Sequence, residues 1–239
     1  MRGKVYPLSM VVILLSVISG VLLIAIIGNE GITAAIESQG LQMEKTIVID
    51  AGHGGIDGGA TSCTGVLERD INLDIALKLN DLLHLLGYRT ALTRSNQDSV
   101  ATEGSTIAAQ KVSDMKNRLK FVNEIDDPIF ISIHQNYFGN SKYYGAQVFY
   151  GTLEESKTLA KQVQSALVHS INPDSHRQIK RGDGIYLLEK LACPAVLIEC
   201  GFLSNQTEEA LLRDKAYQNH LCIVIASALG TYIRQNAAA

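Results

Sequence analysis

Cysteine is scarce in this chain: four residues, Cys63, Cys193, Cys200 and Cys222, none in a CxxC spacing. That excludes a zinc-ribbon or finger type of metal site. Cys193 and Cys200 bracket an apolar run and are expected to pack as small hydrophobes. No basic stripe is present, and tryptophan is absent, so nothing reads as a nucleic-acid surface. No internal repeat or second domain is evident in the 239 residues, which suffice for one α/β domain and a small appendage. The formal charge is −3. Without Arg2 and Lys4 the balance is 19 basic against 24 acidic residues, or −5.

Charge is also missing from Val5–Gly28, where Val11–Ile27 is almost wholly apolar behind Arg2 and Lys4. A basic start followed by so long an apolar stretch is an export signal or a signal anchor. The stretch exceeds a usual signal core and the candidate cleavage site near Thr33–Ala35 is poor, which favours an uncleaved anchor. The flanking charge predicts the amino terminus in the cytoplasm and the rest of the chain exported, at the outer membrane face or wall. Residues 1–28 are thus a signal or anchor, 29–45 a polar tether, and 46–236 the functional domain.

What the domain does contain is a repeated device. Thr46–Asp50, Ile129–His134 and Ala195–Glu199 are near-continuous apolar runs, and each leads into an ionisable side chain: His53, His134 or Glu199. Such runs are strands buried on both faces of a sheet. Tyr88–Thr93 and Ala146–Tyr150 read as further strands. Arg69–Leu86, Ala108–Ile125, Leu153–Ile171 and Glu208–Arg234 read as helices from their three- and four-residue apolar steps. Ser95–Ile107 is a polar loop, the nearest candidate for substrate or partner contacts. The alternation predicts a single α/β domain, with a mostly parallel central sheet and helices on both faces.

In such sheets the functional crevice lies beyond the carboxyl ends of the strands. Two imidazoles and a carboxylate converge there, and Glu68 follows His53 across a Gly-rich loop. His53, Glu68 and His134 would form a His2Glu set, a zinc arrangement that leaves one position open. Bland readings stand beside this one. A histidine at a strand end is commonly structural, Glu68 suits a first helical turn, and Glu199 could pair with a buried Arg or Lys. Arg94 and Arg118 could bind substrate carboxylates or form inward salt bridges. His84, His169, His176 and His220 read as surface or packing residues.

Taken together the motifs resemble one family, the zinc-dependent N-acetylmuramoyl-L-alanine amidases with a type-3 catalytic domain, from about Thr46 to Tyr232. Asp50–Ala60 looks like the opening motif, with Ala51 where Pro is usual. Gly65 and Glu68-Arg69 look like the second element. Thr93-Arg94, Arg118 and Ser132–Asn136 look like the middle motifs, with Gln135 where a small residue is usual. Glu199–Asn205 looks like the closing motif, with Cys200 an uncommon choice. The resemblance implies one zinc ion on His53, Glu68 and His134, with Glu199 as general base and acid. Arg94 and Asn136 are then expected to contact substrate. The implied substrate is the amide joining the lactyl group of N-acetylmuramic acid to L-alanine in peptidoglycan.

The compact layout is similar to germination-specific amidases of spore-forming bacteria, which act on spore cortex and prepare muramic-δ-lactam. A general cell-wall or cell-separation amidase, a zinc peptidase on a related scaffold, and a catalytically silent wall-binding homologue are the alternatives. One Glu and two His make a modest site, which leaves room for an accessory protein that orders the ligands.

Overall fold

The computed structural model describes residues 45–237; the anchor and most of the tether lie outside them. The chain alternates strands and helices: β1 (Thr46–Ala51), α1 (Glu68–Leu85), β2 (Arg89–Leu92), α2 (Ile107–Asn123), β3 (Pro128–Asn136), β4 (Gln147–Tyr150), α3 (Glu154–Ser170), β5 (Lys180–Arg181), α4 (Tyr186–Lys190), β6 (Ala195–Phe202), α5 (Gln206–Arg213) and α6 (Lys215–Ala237). The six strands form one sheet in the order β2-β1-β3-β6-β4-β5.

β2, β1, β3 and β6 are mutually parallel, while β4 is antiparallel to β6. The sheet is therefore mixed: mostly parallel, as expected, with β4–β6 as its antiparallel pair. The reason lies in the connection: residues 137–146 between β3 and β4 contain no helix. A parallel return needs a crossover of a dozen or more residues, so the short loop sends β4 back the other way.

Two apolar layers cover the sheet. On one face Ile47, Ile49, Ile131, Ile133, Val196 and Ile198 pack with α1, α3 and α6. On the other, Val48, Phe130 and Leu197 pack beneath α2 and α4. The alternation follows from the two-residue period of a strand, and burial on both faces explains the unbroken apolar runs. The expected helix Glu208–Arg234 is two helices. Asp214 interrupts it with extended backbone, and its carboxylate accepts the Tyr217 N–H at 2.8 Å, a side-chain cap that starts α6. β5 and α4 carry too little periodicity to be visible in sequence.

Candidate metal and catalytic centre

β1 ends at Ala51, and the chain turns sharply through Gly52-His53-Gly54-Gly55. His53 itself has φ 63°, an unusual value for a residue with a side chain. The turn is held from below. Arg118, fully buried, pairs with Asp50 at 2.5 Å and Asp114 at 2.6 Å and donates to the carbonyls of Ala51 and His53 at 2.9 and 2.6 Å. Ser132 and Thr93 hydroxyls complete the solvation of Asp50 at 2.6 and 2.7 Å. Burial pushes the Asp50 carboxyl up, but Arg118 and the two hydroxyls outweigh it and hold it below the usual range.

Glu68 opens α1 and is 4% exposed. Its Oε2 accepts the Ala60 N–H at 2.9 Å and faces His53 Nε2 at 3.2 Å. Its Oε1 accepts the Gln135 N–H at 3.0 Å and an Asn72 amide proton at 3.3 Å, and faces His134 Nδ1 at 3.0 Å. The donor atoms of His53, Glu68 and His134 lie within 4.8 Å of one another. Two glycines make this approach possible. A Cβ on Gly52 would stand 2.2 Å from His134 Nε2, and one on Gly59 2.6 Å from Glu68 Oε2.

The remaining nitrogen of His53, Nδ1, lies 2.9 Å from Asp57 Oδ2. The other oxygen of Asp57 accepts the Gly59 N–H at 3.2 Å and meets Lys111 Nζ at 2.9 Å. A carboxylate behind a ligating histidine fixes its tautomer and turns the opposite nitrogen toward a metal. Burial lowers the His53 pKa, yet the Glu68 and Asp57 carboxylates win and raise it to about 9. Burial raises Glu68, but the two imidazoles hold it well below its ordinary value. Among the described residues Glu68 has no Lys or Arg partner, only the two imidazoles, and a divalent cation would meet its need for counter-charge. Two His, one Glu and an orienting Asp therefore fit zinc in donor chemistry.

Glu199 stands directly across from His134 in the β3–β6 register. It lies inside β6 rather than at its end, since the strand continues to Phe202. Its Oε2 is buried with no hydrogen-bond partner, and among the described residues no Lys or Arg pairs with it. Burial pushes its pKa up to about 7, with His134 lowering and Glu68 raising it. A carboxyl poised near neutrality both takes and returns a proton readily.

The family described as N-acetylmuramoyl-L-alanine amidase matches residues 47–231. The chain belongs to that family. It is similar to the germination-specific N-acetylmuramoyl-L-alanine amidase of Bacillus subtilis, 36% identical over 193 residues, 80% of this chain and 81% of that enzyme. Among solved structures, the CwlD amidase from Clostridioides difficile, in complex with the GerS lipoprotein, shares 41% identity at a TM-score of 0.77. That match covers 80% of this chain and 99% of CwlD. The catalytic domain of CwlV from Bacillus (Paenibacillus) polymyxa shares 30% identity at a TM-score of 0.67, covering 80% and 98%.

In this amidase His53, Glu68 and His134 come together, and Glu199 lies beside them. Arg94 does not face the cleft. It is 5% exposed, and its guanidinium donates to the carbonyls of Ala51, Asn96, Gly52 and Arg69 at 2.8–3.0 Å. Of the two roles open to it, substrate contact or inward support, these bonds describe the second: Arg94 fastens the opening loop to α1. Arg118 takes the inward salt-bridge role. Asn136 ends β3, half-buried and opposite Phe202. All four cysteines are free, Cys63 exposed and the others buried.

Sequence reasoning missed Asp57 as the orienting group, although its place four residues after His53 in a glycine-rich turn was a usable signal. It also missed the exposed aromatics Tyr137, Phe138, Tyr143 and Tyr144 in the β3–β4 loop. A cavity of about 270 Å³ adjoins the centre, lined by His53, His134, Ile56, Met115, Leu187 and Leu197 among others.

Proposed function

We propose that this amidase is zinc-dependent and cleaves the lactyl–L-alanine amide of peptidoglycan in spore cortex, contributing to muramic-δ-lactam formation. The observation that carries the catalytic reading is the orphaned Glu199 Oε2, buried beside the His53–Glu68–His134 set. Bound by those three residues, zinc supplies Lewis acidity and makes water more acidic. Glu199 takes the proton from the attacking water at Oε2 and returns it to the amide nitrogen as L-alanine leaves. Asp57 keeps the His53 proton on Nδ1, so that Nε2 remains available as a ligand. Asn136 contacts the substrate in this reading, supported by its position two residues beyond His134 on the same face.

The spore assignment is supported by similarity to the germination-specific enzyme of B. subtilis over most of both chains. The apolar segment Val5–Gly28 supports export with residues 1–28 as an anchor. The GerS lipoprotein bound to CwlD supports an exported accessory partner for this chain too. Mass spectrometry of digested cortex and vegetative peptidoglycan tests the substrate. Free stem peptides beginning at L-alanine, with cortex digested faster, are expected; cuts within the peptide would overturn the reading.

A further inference from the structure

Between Ser170 and β5 the chain runs along the β4 edge and delivers one arginine, Arg177, beside the catalytic strand. Its Nε donates to the Tyr144 carbonyl at 2.7 Å, and its Nη1 donates to Gln147 Oε1 at 2.9 Å. Gln147 is itself pinned, donating through Nε2 to the Gln178 carbonyl at 2.8 Å. The guanidinium carbon lies 4.5 Å from the centre of the Phe202 ring, within cation–π range. Tyr143 stacks against that same ring at 6.2 Å. Three supports thus fix the orientation of a guanidinium before any ligand arrives.

The supports lie on the catalytic face. Gln147 is paired directly with Glu199, and directly paired residues share a face. Phe202 would point the other way in a regular strand, being three residues from Glu199. A register shift between His134 and Asn136 sets Phe202 opposite Asn136, which brings it back to the face of His134. Strand irregularities beside active sites re-aim side chains in this manner.

Arg177 has no carboxylate partner among the described residues, and its Nη2 donates to nothing there. The acid near it, Glu208, is already engaged by the Gly145 and Phe202 N–H groups, both at 2.8 Å. A half-buried, pre-oriented guanidinium with a spare donor edge is suited to a carboxylate. We infer that Arg177 binds the first free carboxylate of the stem peptide beyond L-alanine, making it a specificity-determining residue of this site. The inference rests on the amidase reading. The sugars are neutral and the lactyl carboxyl is consumed in the scissile amide, so the anion must come from the peptide.

The test uses two muramyl tripeptide amides, muramyl-L-alanyl-γ-D-glutamyl-L-lysine amide with the glutamyl α-carboxylate free or amidated. The parent should prefer the free acid by roughly ten- to a hundredfold in kcat/KM, the range for a hydrogen bond to a charged group. Arg177→Ala should erase that preference by slowing only the free acid, with zinc content unchanged. Arg177→Lys, which keeps charge but loses the fork, should retain part of it. No parental preference, a preference surviving in Arg177→Ala, or an equal fall on both substrates would each overturn the inference. If the parent cleaves neither, the amidase reading fails by itself, and calorimetric binding of the same two peptides decides the subsite by the same criterion.

Discussion

From 2.9 Å at Nδ1, the Asp57 carboxylate decides which nitrogen of His53 faces inward. Asp57→Asn should keep the fold and weaken zinc binding by about ten- to a hundredfold, the usual cost of losing such a support. Competition with a chelator measures this directly, and an unchanged affinity would remove Asp57 from the centre. Glu199 plays the opposite part, since it sits across from His134 with an unpaired Oε2. Its conversion to Gln should lower kcat by about a hundred- to ten-thousandfold, the range for general acid–base catalysis. Of these two acids, sequence alone singled out Glu199. An apolar run that leads into a carboxylate is conspicuous, whereas an acid in a Gly-rich turn looks like turn chemistry.

At the level of elements, the loop Gly52–Ala60 is shaped by what would collide with it. Gly52→Ala would place a methyl group 2.2 Å from His134 Nε2. The ring must move, so zinc affinity should fall while the melting temperature changes little; metal titration with calorimetry separates the two. Beneath the loop, Arg118 is fully buried between Asp50 and Asp114. Arg118→Ala leaves two buried carboxylates unpaired and should destabilise the fold by roughly 3–5 kcal/mol, readable by urea denaturation.

β1, β3 and β6 were legible because burial on both faces imposes an unbroken apolar run, and their parallel register brings His53, His134 and Glu199 together. The direction of β4 was not, because it depends on a connection with no helix and not on any residue of β4 itself. Arg94 shows a limit of motif reading. The motif marks the residue, but the fold spends its donors on four carbonyls, three of them distant in sequence.

For the whole molecule, residues 45–237 enclose their own two apolar layers, so the catalytic domain should fold and act after removal of residues 1–44. Its acid stability has a defined source. Asp50 titrates below its ordinary value of 3.8 in the folded state. A group with a depressed folded pKa contributes stability that is full above the unfolded value and lost as pH falls through the folded one. Unfolding midpoints should therefore drop as pH falls below about 4, and Asp50→Asn should flatten that part of the profile. The central claim is a division of labour in which three residues hold zinc and Glu199 moves the proton. It is tested by zinc stoichiometry and amidase activity, measured together on the parent, Glu199→Gln and His134→Ala. Zinc near one per chain with no more than trace activity is expected for Glu199→Gln, and loss of both for His134→Ala. A zinc-free Glu199→Gln, or an active and zinc-free His134→Ala, would contradict it.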